Sequence, residues 1–225
     1  MARHDDRVKQ QFSEGAQQYL TSEVHSGGSD LDWIARMVEE KHPRNLLDLG
    51  SGAGHVSFRV SPHVQSVTAV DPSSEMLETV KKESLSRGLP NIETRVGQSD
   101  AIPVGTGSFD WIVSRYSAHH WGNLRESLHE CARVLCPDGR MVLVDSFSPE
   151  EPLLDTWLQT IELLRDTTHV RSYRVSEWKS MLEGAGFSVA SLAKRKLVLP
   201  FLPWLQRAGT TETRSGMIRN DPEFV

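Results

Sequence analysis

The feature that most constrains the fold is a glycine-rich stretch that directly follows a short apolar run. Residues 45–49 (Asn-Leu-Leu-Asp-Leu) are an apolar run bounded by breakers, which predicts a buried strand. Gly50, Gly52 and Gly54 then alternate along the chain. Because glycine has no Cβ, such a turn lets the backbone pass close to a ligand. Residues 55–60 are predicted to form a helix whose N-terminal amides point back at the turn, which favours an anionic group there.

The glycine spacing distinguishes between two kinds of cofactor. Asp71 ends a second apolar run, residues 67–70, about 20 residues after the first glycine, where dinucleotide-type folds place the acid that binds a ribose. Nicotinamide and flavin folds use G-x-G-x-x-G, and His55 stands where that pattern needs glycine or alanine. We therefore disfavour an oxidoreductase. The pattern that is present, D-x-G-x-G-x-G from Asp48 to Gly54, resembles the S-adenosylmethionine (SAM) motif of class I methyltransferases.

The rest of the chain alternates predicted strands and helices up to residue 145. The predicted strands of this region are residues 45–49, 67–71, 92–96, 109–114 and 141–145. This alternation predicts an α/β, Rossmann-like fold with a mostly parallel sheet and helices on both faces. After residue 145 the pattern changes to helices with one further predicted strand, residues 187–199.

Composition excludes several classes of protein. The chain has 225 residues, of which 38% are hydrophobic and 24% charged, which suits one α/β domain with some additional elements. It has no apolar stretch near the ~20 residues of a membrane span, and its N-terminus has no apolar leader, so we expect a cytoplasmic protein. The formal net charge of −5, without a basic run, argues against a nucleic-acid partner.

Several further segments match one family in order and spacing. The matching segments are residues 46–54, 69–77, 101–103, 108–115, 118–121 and 133–139. Through them, residues 12–204 resemble the small-molecule class I methyltransferases of the ubiquinone/menaquinone C-methyltransferase type (methyltransferase domain 11). Two departures stand out: Gln98 replaces an aspartate that the family often uses for the adenine amine, and the last antiparallel strand of the fold is not evident.

The resemblance implies a SAM site at the turn and the strand ends. Its expected residues are Asp48, Gly50, Ser51, Gly52, Gly54, Asp71, Pro72, Met76, Gln98, Ser99 and Ser114. Asp71 would accept both ribose hydroxyls, while Pro72 and Met76 would flank the adenine, although Met76 also suits plain helix core. Gln98 would accept from the adenine amine, and the Ser114 carbonyl would contact the methionyl amino group.

The function that the resemblance implies is methyl transfer from SAM to a small organic acceptor, with C- or O-methylation favoured and S-adenosylhomocysteine as product. N-methylation of a small amine and a SAM-binding regulatory protein without turnover are the alternatives. His119 and His120 are candidate general bases, or else helix-entry or adenine-contacting residues. Tyr19 and His25 could close over SAM, or be a packed aromatic and a surface histidine. The sequence shows no metal-ligand set, and we expect a monomer or homodimer.

Three regions follow from this interpretation. Residues 1–43 are expected to form a helical cap over the cofactor site, and residues 44–145 the SAM-binding core. Residues 146–225 would supply helices and a strand that complete the sheet and cover the acceptor pocket. Large apolar residues in the last region, including Trp157 and Trp204, would line an apolar acceptor pocket or simply pack on one another.

Overall fold

The computed structural model describes residues 27–219 together with residues 4, 7, 8, 10, 11 and 20. Internal contacts divide the chain into two units, Met1–Asp145 and Ser146–Val225. Each unit has a hydrophobic core of its own. None of the helices in the described part of the chain combines the length and the apolar character needed to cross a bilayer.

The first unit is built around a parallel sheet with five strands in the described residues. The strands are β1 (Asn45–Leu49), β2 (Ser66–Asp71), β3 (Ile92–Val96), β4 (Phe109–Arg115) and β5 (Leu135–Val144). They lie in the order β3-β2-β1-β4-β5, and each neighbouring pair is parallel. The chain therefore winds outward from β1 to β3 and then crosses over to β4. Open α/β sheets bind ligands at the carboxyl end of the strand where this reversal occurs, which here is β1.

Helices alternate with these strands, as the sequence predicts. They are α1 (Ser29–Lys41), α2 (His55–Val60), α3 (Ser74–Ser86) and α4 (Leu124–Val134), with short 3-10 turns at Ser61–His63 and Ala118–His120. Ile34 and Val38 of α1 pack with Leu46, Val67 and Trp111 of the sheet in one buried cluster. The architecture confirms the predicted α/β Rossmann-like fold.

The second unit is helical in its described residues. Its helices are α5 (Pro152–Arg165), α6 (Val175–Gly184), α7 (Phe201–Arg207) and α8 (Glu212–Arg219). Ile161, Leu205 and Ile218, from three of these helices, form a buried cluster against which Trp157 and Trp204 pack. These large apolar residues pack together within the second unit, and their part in an acceptor pocket stays a prediction.

A buried carboxylate fixes the loop that precedes α6. Asp155 of α5 accepts hydrogen bonds from Ser148 Oγ at 2.6 Å, Gln159 Nε2 at 2.9 Å and Arg171 Nη2 at 2.6 Å. Burial acts to raise the pKa of Asp155, but these three donors outweigh it and lower the pKa to about 2. The second unit is therefore held together by a charged network as well as by its apolar cluster.

The strand predicted over residues 187–199 does not form, and this prediction was wrong. Residues 187–200 have neither helical nor strand conformation, and Leu197 and Val198 are exposed. Apolar residues in a segment indicate only a preference for strand, since a strand also needs a neighbouring edge to pair its backbone hydrogen bonds. Within the described residues, no strand from residues 146–225 completes the sheet.

Candidate cofactor and active site

The glycine-rich turn leaves β1 in a conformation that glycine alone adopts easily. Gly50, Gly52 and Gly54 have φ angles of 71°, 50° and 88°. The amides of Gly50 and Ser51 both donate to the carbonyl of Val70 on β2, at 2.8 and 3.1 Å, and Gly54 donates to the Ser51 carbonyl at 2.9 Å. The turn is thus fastened to the end of β2, the neighbouring strand.

The surroundings of the three glycines differ. A Cβ at Gly50 would lie 1.9 Å from Ser117 Oγ, and a Cβ at Gly54 would lie 2.9 Å from the ring of Phe58. At Gly52, in contrast, a Cβ would meet no atom within 4 Å in the described part of the chain. Gly50 and Gly54 therefore allow close packing within the protein, whereas Gly52 faces open space.

Asp71, the last residue of β2, is buried beside this turn. Its Oδ2 accepts from the Gly52 amide at 2.9 Å, and its Oδ1 accepts from the Ser73 amide at 2.9 Å. Burial raises the pKa of Asp71 to about 6, against the opposing effect of these two hydrogen bonds. These two bonds fix the orientation of the carboxylate. Each oxygen has two lone pairs and accepts one backbone N–H, so each can accept one more hydrogen bond.

Asp48 lies in β1 and supports the turn that follows this strand. It is 1% exposed, and its Oδ2 accepts from the Ser57 amide at 3.0 Å and from Ser57 Oγ at 2.6 Å. These bonds satisfy an amide in the first turn of α2, which holds the helix against the end of β1. Burial raises the pKa of Asp48 to about 6; the charge of Asp71 adds to this rise, while Ser57 and Arg115 oppose it.

A cavity opens at this edge of the sheet, and all of its lining residues belong to the first unit. It brings together most of the residues predicted from the sequence: Asp48, Gly50, Ser51, Gly52, Asp71, Pro72, Met76, Gln98, Ser99 and His120. Residues that the sequence did not single out for the cofactor also line it: Val8, His55, Asp100, Arg115 and Trp121. The carboxyl ends of β1, β2 and β4 thus meet around one space.

Some of the predicted site residues are placed differently. Gly54, Ser114 and His119 are not among the cavity-lining residues. Ser114 is fully buried in β4, where it pairs with Leu143 of β5. Tyr19, a predicted catalytic residue, lies outside the described residues together with His25.

The wall beyond β3 is a tight turn. The Gln98 carbonyl accepts from the Ala101 amide at 3.3 Å, and Ser99 Oγ is 2.8 Å from Ser127 Oγ.

Met76, which is 1% exposed, donates its amide to Ser73 Oγ at 3.1 Å, so the N-terminus of α3 is capped at the cavity. Met76 is therefore both helix core and cavity wall.

The two adjacent histidines have different environments. His119 Nδ1 lies 2.6 Å from Asp145 Oδ1, and its amide donates to Asp145 Oδ2 at 3.1 Å. Because an ionised carboxylate only accepts, Nδ1 is the nitrogen that carries the proton in this pair. The ring of His120 packs 4.1 Å from that of His119, its carbonyl lies 2.9 Å from His4 Nε2, and His120 lines the cavity. His119 is thus held by Asp145, and His120 belongs to the site.

A buried ion pair that the sequence analysis missed lies in the same wall. Arg115 Nε donates to Asp30 Oδ2 at 2.6 Å, and Nη2 donates to the Gly27 carbonyl at 3.1 Å. The side chains are 4% and 6% exposed, and the guanidinium lies 4.8 Å from the ring centre of Tyr116. Tyr116 itself has a φ of 53°. A lone charge at the end of an apolar strand was the available signal, but nothing in the sequence indicated its partner 85 residues away.

The residues present fit SAM. Asp71 can accept two further hydrogen bonds, which suits a ribose diol. Ser51 Oγ is buried with no hydrogen-bond partner among the residues the structure describes, and Gly52 leaves room for a ligand group. The side chains of Met76 and Pro72 offer apolar surface to a flat ring.

Comparisons with known proteins agree with this geometry. A family model described as methyltransferase domain matches residues 47–143. The uncharacterized methyltransferase YcgJ of Bacillus subtilis is 35% identical over 92% of this chain and 82% of its own length. A demethylmenaquinone methyltransferase of Thermotoga maritima is 34% identical over 64% of this chain and 60% of its own length.

A solved structure extends the likeness to the fold. The crystal structure of a putative methyltransferase from Bacillus halodurans has a TM-score of 0.82 and 29% identity, covering 87% of this chain and 86% of that one. This likeness covers far more of the chain than the family model does. The chain therefore belongs to the methyltransferase domain family and, by family and fold, is a SAM-dependent methyltransferase.

Proposed function

We propose that the protein transfers the methyl group of SAM to a small organic acceptor, with a carbon or oxygen atom as nucleophile. The observation that supports this proposal most directly is the hydrogen bond that places Gly52 beside Asp71. The Gly52 amide donates to Asp71, while a Cβ on Gly52 would have no atom of the described residues within 4 Å. A ligand can therefore touch the turn and the carboxylate at the same time.

The proposed roles of the residues follow from the chemistry that each presents. Asp71 accepts the ribose hydroxyls, and the turn at Ser51 and Gly52 receives the methionyl group. Met76 and Pro72 cover the adenine ring. As the family resemblance implies, Gln98 accepts from the adenine amine, the Ser99 amide donates to a ring nitrogen of adenine, and the Ser114 carbonyl contacts the methionyl amino group.

Methyl transfer places modest demands on the protein. Bound SAM supplies an already activated methyl group on a sulfonium. The protein then has to hold the acceptor in line, exclude water and, for a protonated nucleophile, take up one proton. His120 is the proposed proton acceptor because it lines the cavity; His119 is fixed by Asp145 and holds the neighbouring ring.

The acceptor class is proposed on two grounds. The Thermotoga maritima relative is named for demethylmenaquinone, a small organic molecule. The formal net charge of −5 disfavours a nucleic-acid substrate. N-methylation of a small amine, or binding of SAM for regulation without turnover, remains the alternative.

The test combines binding with turnover. Isothermal calorimetry with S-adenosylhomocysteine is run on the wild type, Gly52→Ala and the matched control Gly88→Ala. Both glycines have left-handed φ angles, 50° and 66°, and neither Cβ would meet an atom of residues 27–219 within 4 Å. Both variants should lose a similar ~1–2 kcal/mol of stability. Only Gly52→Ala should lose affinity, on the order of 10- to 100-fold, because its methyl group enters the ligand space.

Turnover separates the enzyme from the regulatory alternative. Wild-type protein with methyl-labelled SAM is offered quinols, catechols and small amines, and the labelled product is counted. Transfer to a carbon or oxygen acceptor supports the proposal, whereas transfer to amines alone favours N-methylation. Binding of S-adenosylhomocysteine without any transfer would favour regulation, and equal affinities of Gly52→Ala and Gly88→Ala would refute the proposed site.

A further inference from the structure

The second unit leaves many of its large apolar side chains exposed. Among the described residues, the well-exposed side chains of this kind in the first unit are Trp33, Leu85 and Val96. The second unit, which has about a third of the chain, contributes all the others, several of them within residues 187–202. Exposed apolar side chains that lie together mark a surface that binds something else.

The same part of the chain concentrates positive charge. Residues 184–211 contain neither aspartate nor glutamate, and their basic residues are Lys194, Arg195, Lys196 and Arg207, in a chain whose formal net charge is −5. The three consecutive cations are exposed and stand in a segment with neither helical nor strand conformation. A nucleic-acid patch usually has a run of about five to eight such residues. Here a run of three is flanked by apolar residues, which indicates a different kind of partner.

The cations and the apolar groups adjoin one another. Leu192 lies two residues before Lys194, the first cation. Leu197 and Val198 follow the last cation directly, and they are 51% and 76% exposed. Nζ of Lys194 lies 5.2 Å from the centre of the Phe147 ring, which is also exposed. The positive charges and the apolar groups therefore form one continuous surface of the second unit.

A bilayer with anionic headgroups matches this surface in both respects. Lysine and arginine place their charged ends at the level of the lipid phosphates, while their methylene stems and neighbouring apolar side chains reach toward the acyl chains. Glu150, which interacts electrostatically with Lys194, accepts hydrogen bonds from the Ser176 hydroxyl and amide at 2.6 and 3.0 Å. The negative charge of Glu150 is thus already partly offset within the second unit.

We propose that a docking segment, residues 192–198, binds the second unit to a lipid bilayer that carries anionic headgroups. The three cations lie against the lipid phosphates, and the apolar side chains on both sides enter the boundary between headgroups and acyl chains. The binding is reversible and weakens with salt, because screening reduces its ionic part. This inference goes beyond the proposed function, since it concerns a surface of the second unit and not the methyl transfer.

The test measures binding of the full chain to vesicles by co-sedimentation, without cofactor. One set of vesicles contains equal parts of phosphatidylcholine and phosphatidylglycerol, and the other contains phosphatidylcholine alone. The charge variant combines Lys194→Gln, Arg195→Gln and Lys196→Gln. Its matched control removes the same net charge from three lysines that are also exposed, by combining Lys41→Gln, Lys82→Gln and Lys179→Gln.

A second pair of variants tests the apolar side chains. The apolar variant combines Leu197→Ser and Val198→Ser. Its matched control combines Leu85→Ser and Val96→Ser in the first unit, where these side chains are 78% and 56% exposed. Circular dichroism checks that each variant is folded. Lys196→Gln alone, with an expected loss of about fivefold, answers the question where the charge variant does not fold.

We expect the wild type and both controls to bind the anionic vesicles, and to bind pure phosphatidylcholine about 30- to 100-fold more weakly. The charge variant should lose about 30- to 100-fold in affinity for the anionic vesicles, from about fivefold for each cation. The apolar variant should lose about 5- to 30-fold, because two side chains no longer leave water on binding.

Three results would overturn the inference: a wild type that binds neither set of vesicles, a charge variant that binds as its control does, or an apolar variant that binds as its control does. Sedimentation velocity without lipid that shows a dimer lost in the apolar variant would assign the surface to a second copy of the chain instead. Because no cofactor is used, each of these outcomes leaves the proposed function as it stands.

Discussion

Cofactor affinity should depend on pH through Asp71. Burial raises the pKa of this carboxyl to about 6 in the structure without ligand. The ionised form accepts both ribose hydroxyls, while the protonated form uses one oxygen as a donor, so a bound proton competes with the cofactor. Affinity should therefore be fully present above about pH 7 and be lost as the pH falls through about 6.

The magnitude follows from the pKa. About one tenth of Asp71 is ionised at pH 5 and about nine tenths at pH 7, so the affinity for S-adenosylhomocysteine should rise about tenfold between them. The amino and carboxyl groups of the ligand titrate outside this interval. Asp71→Asn has nearly the same shape but no charge to titrate. It should lose about 10- to 100-fold in affinity at pH 7, from ~1.5–3 kcal/mol of charge-assisted bonding.

Calorimetry between pH 5 and 8 measures both effects, with circular dichroism as the check that each variant is folded. Asp48, whose pKa is also raised to about 6, lines the same cavity, as do the imidazoles of His55 and His120. His55→Gln and His120→Gln are therefore controls that should keep the tenfold change. An Asp71→Asn variant with an undiminished pH dependence would refute the reasoning, as would a wild type whose affinity is constant from pH 5 to pH 7.

Three further changes test the packing, the second unit and the adenine wall. Gly50→Ala should lower the free energy of unfolding by ~2–4 kcal/mol in urea titrations, because its Cβ would lie 1.9 Å from Ser117 Oγ; a wild-type midpoint would contradict this close approach. Asp155→Ala should cost ~1–3 kcal/mol at pH 7, because Ser148 Oγ and Gln159 Nε2 lose their acceptor while Arg171 keeps the longer ion pair with Glu177, at 3.2 Å. The pKa of Asp155 is lowered to about 2, so its contribution exists above the unfolded pKa of about 4 and should fade as the pH falls toward 2; a loss that stays constant down to pH 3 would count against it. Gln98→Ala should weaken binding of S-adenosylhomocysteine by about threefold to tenfold if the amide pairs with adenine, and calorimetry showing no change would remove Gln98 from the site.

The sheet and the turn could be predicted because their signals are local. An apolar run followed by Gly50, Gly52 and Gly54 specifies a strand and a left-handed turn within about ten residues. Asp71 could be identified because its distance from the turn is set by one strand, one helix and the next strand. Each of these features depends on neighbours in the sequence, which a single chain displays directly.

The contacts that were missed depend on the tertiary fold. Asp30 and Arg115 are 85 residues apart, and His119 and Asp145 are 26 apart, so only the folded sheet brings each pair together. The incorrect strand over residues 187–199 has the same origin, since strand formation needs a pairing partner that this segment does not display. The strand propensity of a segment can be judged from that segment alone, whereas strand pairing depends on a second segment as well.

The two buried acids connect the stability of the free protein with cofactor binding. A carboxylate taken out of water needs donors, which Asp48 finds in Ser57 and Asp71 finds in the amides of Gly52 and Ser73. Burial still outweighs these donors, because both pKa values rise from 3.8 to about 6. The ionised acids therefore weaken the fold as the pH rises through that interval. Hydroxyl groups that donate to Asp71 would remove part of this penalty only when the cofactor is bound. The same burial that reduces the stability of the free protein thus supplies free energy for binding, which is a physical reason for poorly solvated acids to lie at the cavity.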